Sequence, residues 1–214
     1  MKSNRVAIID YGVGNLLSVN RAFEYCGARV EVTSDPKLIL DASHVVLPGV
    51  GSFSEGMKEL RYHKLESIIH EVVANNTPLL GICLGMQMLL DVSEEYGITA
   101  GLGLITGRVI PIPICDIDGR LLKIPHIGWN SLLMPKRENT WVCTPLQEIK
   151  SNETFYFVHS YMAIPVDQSN LLAYCEYGGH HIPAVIKKGN ITGCQFHPEK
   201  SGKAGLKVIS QFLK

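Results

Sequence analysis

The chain has 214 residues, of which 46% are hydrophobic and 19% charged, and its 20 Lys and Arg balance its 20 Asp and Glu. That balance excludes a field strong enough to draw the protein to nucleic acid or an anionic membrane, and the length and apolar share suit one globular domain over residues 1–214. No apolar run reaches a membrane span, and the opening MKSNRVAIIDYG lacks the apolar core and cleavage site of a signal peptide, so a cytoplasmic protein is expected.

In chain order, RVAIID (5–10) reads as a short strand ending in a Gly-rich turn, and NLLSVNRAFEYCG as a helix capped by Gly27. RVEVT (29–33) and SHVVLPG (43–49) are further strands, followed by a helical stretch over about 53–75, the strand PLLGI (78–82) and a helix from Leu84 to about Ser93. Continuous apolar strands alternating with amphipathic helices predict an α/β fold with a mostly parallel sheet covered on both faces. The second half differs: the segments from GLGLITGRVIPIP to ITGCQFHP are β-rich and punctuated by Gly, Pro and Asn, in the manner of hairpins. GKAGLKVISQFLK closes the chain as an amphipathic helix, so one mixed sheet with an antiparallel β extension is expected.

The chemistry concentrates in three stretches. In GICLG a strand turns sharply into a helix, with Cys83 at the joint between Gly81 and Gly85, which is the logic of a nucleophile elbow with sulfur as the attacking atom. Unpaired N–H groups at a helix start favour thiolate, so an exposed, activated thiol is expected; a buried cysteine between packing glycines is the structural alternative. A thiolate nucleophile needs a base, and QFHPEKSG supplies His197 ahead of a proline, which favours extended backbone and so puts Glu199 on the same side. Glu199 would then orient the imidazole towards Cys83, although H-P-E by itself also describes a strand-end histidine beside a solvated glutamate. LPGVGSF offers a Gly-rich turn whose N–H groups at Gly49, Val50 and Gly51, with that of Leu84, could hold an oxyanion; alone it is a plain turn.

PGVGSF, GICLGMQMLL and QFHPEKSG stand in the order and spacing of the class I (triad-type) glutamine amidotransferases, which the chain resembles over nearly its whole length. IDYGVGNLLSV, SEEYG, PHIGWN and YFVHSY make it most similar to the glutaminase subunits of imidazole glycerol phosphate synthases. The resemblance implies a flavodoxin-like fold and hydrolysis of L-glutamine through a Cys83 thioester, with ammonia passed to a cyclase subunit in a heterodimer that makes imidazole glycerol phosphate and an aminoimidazole carboxamide ribotide for histidine biosynthesis. No metal or other cofactor is implied. By family match Gln87, Glu95, Ser160 and Tyr161 contact the substrate, and Asn15, Trp129, Tyr161 and Lys200 face the cyclase. The PGVG turn is the element expected to change conformation when the cyclase binds its own substrate. Without the family, HSY would be strand core with Tyr161 at an edge, and Trp129 a half-buried core aromatic.

Rival readings remain. DYGVGNLL places Gly12 and Gly14 after a strand, but Leu17 occupies the third position of a dinucleotide fingerprint. His44, His63, His70 and the pair His180–His181 form no H-x-x-x-H set, and the six cysteines contain no C-x-x-C. A paralogue feeding ammonia to another synthase, such as one amidating a nucleotide-linked sugar in surface-polysaccharide synthesis, would keep every glutaminase residue; a non-enzymatic regulator would have no use for the thiol and its base. Segments 111–123 and 133–152 match the family least.

Overall fold

A computed structural model describes residues 4–135, 141–150 and 152–214. Parts of the least family-like loop, 136–140 and 151, therefore lie outside the described residues, as do residues 1–3. The elements that position the site are β1 (Arg5–Ile9), α1 (Leu16–Tyr25), β2 (Arg29–Thr33), α2 (Pro36–Leu40), β3 (His44–Leu47), α3 (Phe53–Tyr62), α4 (Leu65–Ala74), β4 (Leu79–Ile82), α5 (Leu84–Met88), β5 (Leu90–Ser93) and β6 (Thr99–Ala100). They continue with β7 (Ile105–Pro111), β8 (His126–Ser131), β9 (Thr154–His159), β10 (Tyr161–Pro165), β11 (Leu171–Tyr177), β12 (His180–Lys188), β13 (Ile191–Cys194) and α6 (Gly202–Phe212).

The central sheet has seven strands in the order β11-β12-β13-β4-β3-β1-β2. Five of them, β13 through β2, run parallel, and β11 and β12 extend the edge antiparallel. Successive residues of β1 face opposite sides: Val6 and Ile8 join a core under α1 and α6, while Ala7 and Ile9 join one under α2, α3 and α4. This is the α/β layering expected. The β-rich second half joins this sheet in part, β13 as a parallel strand and β11 and β12 as the antiparallel extension expected; among the described residues β10-β7-β5-β6 make a separate four-stranded sheet and β8-β9 a ribbon.

Three local expectations change. The helix begun at Leu84 ends at Met88, because the carbonyls of Met88, Leu89 and Leu90 accept from backbone N–H groups of residues 102–105 instead of continuing the helix, and the chain goes on as β5. The 53–75 stretch is two helices, α3 and α4, broken where Lys64 takes a left-handed conformation at φ 57°. A short helix not foreseen, α2, starts on Asp35, whose carboxylate accepts from Lys37 N at 2.8 Å ahead of Pro36. The Gly27 cap is present as a Schellman motif, with Gly27 N bonded to Glu24 O and Ala28 N to Phe23 O.

Candidate active site

Parallel α/β sheets place ligands beyond the carboxyl ends of their strands, and the cysteine lies there, at the end of β4. Cys83 sits at φ 54°, ψ −108°, a region a non-glycine residue rarely adopts, as an elbow requires. Both flanking glycines are sterically required. A Cβ on Gly81 would come within 2.8 Å of the Gly85 backbone, and one on Gly85 within 1.8 Å of Leu47 O. The thiol is not exposed as expected: Cys83 is buried, at 8% of its full exposure, and lines a cavity of about 490 Å³. The elbow packs against β3 and β13 too tightly to leave the side chain on the surface. A second cavity, about 300 Å³, lies at the amino-terminal end of β4 around Pro78 and Asn190 and has none of this grouping.

Sheet register brings the imidazole to the thiol. β13 runs parallel to β4 with Cys194 opposite Ile82, and Cys83 N donates to Cys194 O at 2.8 Å, so the residues just beyond β13 emerge beside Cys83. His197 follows in extended backbone, its N–H donating to Tyr156 O of β9. Glu199 is brought back by a 3₁₀ turn over Pro198–Lys200, not by the extended chain expected, and its Oε1 meets His197 Nδ1 at 2.8 Å. Both side chains are essentially buried. Among the described residues His197 Nε2 and Glu199 Oε2 are buried without a hydrogen-bond partner, and Cys83 interacts electrostatically with the imidazole. Burial alone would lower the His197 pKa, but the interactions with Cys83 and Glu199 outweigh it and push the value up to about 9.

The cavity is lined by Val50, Gly51, Leu84, Gln87, Glu95, Ser160 and Tyr161 besides Cys83 and His197. Gly49, expected with the oxyanion donors, does not line it; this residue lets the turn approach the elbow, since a Cβ there would lie 2.6 Å from Tyr11 Oη and 3.0 Å from Leu84 Cβ. Glu95 does line it, and its Oε2 also accepts from Phe53 N at 2.5 Å, capping α3, whose Ser52 makes no side-chain cap. Gln87 Nε2 donates to Tyr161 O at 3.1 Å and to Gln195 Oε1 at 3.0 Å.

The residues expected at the partner face come from four different segments. Trp129 on β8 is 57% exposed with its ring against Tyr156, and so is no core aromatic. Lys200 is exposed directly after Glu199, and Asn15 accepts from Ser18 N as the cap of α1; neither lines the cavity.

Sequence reading passed over Tyr11, His126 and Gln195 here, and named His159 only as part of HSY. Tyr11, fully buried, donates from Oη to Pro48 O at 2.7 Å and so pins the entry of the PGVG turn; burial and the neighbouring Cys83 charge raise its pKa. His159 Nδ1 meets Tyr161 O at 2.8 Å, its Nε2 meets His126 Nδ1 at 3.1 Å, and burial holds the pair neutral by lowering their pKa values to about 3 and about 4. Gln195 is fully buried with its Nε2 3.6 Å from Cys83 Sγ. Polar side chains within otherwise apolar strands, as in QFHP and PHIG, were the only signal available.

Comparison with known proteins adds the following. The family model described as glutamine amidotransferase class-I matches residues 7–214. The chain is 51% identical over 209 residues, 98% of each chain, to imidazole glycerol phosphate synthase subunit HisH 1 of Legionella pneumophila (strain Lens). It is 43% identical over 209 residues to subunit HisH of Bacillus subtilis (strain 168), covering 98% of this chain and 95% of that one. Among solved structures, PurLQS from Thermotoga maritima superposes with a TM-score of 0.70 at 22% identity, over 100% of this chain and 98% of the other. The glutaminase domain of CTPS from Trypanosoma brucei gives 0.62 at 16%, over 98% and 91%. At those identities the two structures attest the fold alone.

Proposed function

The chain belongs to the class I glutamine amidotransferases and, within them, groups with the HisH subunits of imidazole glycerol phosphate synthase; from this premise we propose that Cys83, His197 and Glu199 carry its glutaminase chemistry. The activity is hydrolysis of the side-chain amide of L-glutamine for histidine biosynthesis. Cys83 attacks the amide carbon, and His197, charged at Nε2, gives its proton to the departing nitrogen, which leaves as ammonia. Water then adds to the thioester as His197 takes a proton, the C–S bond breaks with its electron pair returning to sulfur, and glutamate is released. Glu199 holds the imidazole through Nδ1 and favours its charged form.

The observation that carries this reading is the buried His197 Nε2, unpartnered among the described residues, with Cys83 and His197 lining the same cavity as Val50 and Gly51. Val50, Gly51 and Leu84 are the candidates for holding the oxyanion, and Gln87, Glu95, Ser160 and Tyr161 for holding glutamine. Ammonia goes to a cyclase subunit docked over the mouth, with Trp129, Tyr161, Lys200 and Asn15 as contacts.

The test is glutamate release by this chain alone and with its host's imidazole glycerol phosphate cyclase subunit plus that subunit's nucleotide substrate. Stimulation that disappears in Cys83→Ala, with at least about a 10³-fold loss, is expected. Activity that depends on Cys83 but is indifferent to the cyclase would move the acceptor to another synthase.

A further inference from the structure

Three hydrogen bonds fix the orientation of an amide that no part of the triad uses. Gln87 Nε2 lies 3.1 Å from Tyr161 O, and a backbone carbonyl only accepts, so that atom of Gln87 is the NH₂ group. Its other N–H points 3.0 Å away at the Gln195 amide, whose facing atom must therefore be Oε1. The NH₂ of Gln195 is then the end that approaches Cys83 Sγ at 3.6 Å, a normal length for a donor to sulfur. Tyr161 O also accepts from His159 Nδ1 at 2.8 Å, so its lone pairs are both occupied and Gln87 has no reason to turn. The assignment of oxygen and nitrogen follows from the network itself.

Gln195 is fully buried, between Cys194 and Phe196, which are buried as well. A primary amide in such a place costs more than an apolar side chain of equal volume unless its groups are used. Packing does not call for it, and the thiol does. Among the described residues Val158 O also lies near Sγ, at 4.0 Å. The other titratable groups that feel the Cys83 charge, Tyr11 and Cys194, both have their pKa values raised by burial, which keeps them neutral and leaves His197 as the cation.

We propose that Gln195 donates a hydrogen bond to the Cys83 thiolate, holding the nucleophile charged and aimed, with Gln87 and the Tyr161 carbonyl fixing the direction of that donor. The inference rests on the reading of Cys83 as the nucleophile. Gln195 stabilises sulfur in the resting thiolate and again when the C–S bond breaks and the pair returns to it. Gln87 thereby acts on the thiolate through Gln195 as a positioning residue, besides its expected contact with glutamine.

Alkylation of Cys83 by iodoacetamide from pH 5 to 10, followed by peptide mass spectrometry on the full chain, reads thiolate directly and needs neither glutamine nor a partner. Gln195→Met keeps the bulk and removes the donor. The Cys83 pH–rate curve is expected to move to higher pH by about one unit, with alkylation at pH 7 about tenfold slower, the size appropriate to losing a hydrogen bond to a charged group. Gln87→Met, which frees the Gln195 amide to rotate, is expected to move it the same way by less. In the unaltered protein the Gln195 side-chain NH₂ resonances are expected to shift across the Cys83 alkylation midpoint and to stay still in Cys83→Ala. An unmoved curve in folded Gln195→Met overturns the proposal; if that variant does not fold, NH₂ resonances that ignore the midpoint do so. Glutamine hydrolysis persisting in Cys83→Ala would instead overturn the nucleophile itself, a separate result.

Discussion

His197 Nδ1 and Glu199 Oε1 meet at 2.8 Å between two side chains that water scarcely reaches, so the carboxylate acts on the imidazole at low local dielectric. Together with Cys83 it pushes the His197 pKa up to about 9 despite burial. Glu199→Gln keeps the shape and removes the charge; we expect kcat to fall about 10³-fold with KM nearly unchanged, measured by glutamate release. The basic limb of the pH–rate profile, set near pH 9 by His197, should move to lower pH in that variant because the imidazolium loses its partner. A limb that stays in place would mean that another group sets it.

Among the elements, the elbow is the most constrained. Gly85 sits where β3 and α5 touch, and a methyl group there would overlap Leu47 O, a backbone atom that cannot give way without moving β3. Gly85→Ala should therefore destabilise the fold by about 3 kcal/mol or more in urea unfolding, while alanine at the open, positive-φ Gly12 should cost only about 1 kcal/mol of backbone strain. α3 depends on a residue far along the chain, since Glu95 caps its first turn. Glu95→Ala is expected to lose about 1–2 kcal/mol of stability together with glutamine affinity, and Glu95→Gln to recover part of the first.

For the molecule as a whole, buried histidines of opposite sign set the pH dependence of stability. His126 and His159 have pKa values lowered to about 4 and about 3, so the unfolded chain takes up protons that the native state refuses, and stability falls as pH drops below about 6.5. His197 is raised to about 9; its contribution is complete below about pH 6.5 and is lost as pH rises through 9. Thermal unfolding midpoints measured from pH 4 to 10 should therefore peak near pH 6–7, and a monotonic rise to pH 9 would contradict the His197 environment. At the proposed docking face, Trp129 is 57% exposed, so Trp129→Ala should change stability by no more than about 0.5 kcal/mol. The same change should weaken cyclase binding by about tenfold or more in a titration, as for an aromatic anchor.

What the sequence determined by itself is local: the strand–turn–helix joint at Cys83, the Gly-rich turn at 49–51, the alternation of apolar strands and amphipathic helices, and the Gly27 cap each need only near neighbours to be specified. Tertiary structure decided what depends on distant partners. The helix from Leu84 stops at Met88 because carbonyls of residues 88–90 are taken by residues 102–105, and no signal within the helix announces that competition. The break at Lys64 likewise carries no Gly or Pro. That Cys83 is buried, that Glu199 returns on a 3₁₀ turn, and that Gln195 faces the thiol follow from the register of β13 on β4, a pairing of segments more than a hundred residues apart. Periodicity records which face of a strand is apolar, whereas which strand lies beside it is settled only when the whole sheet assembles.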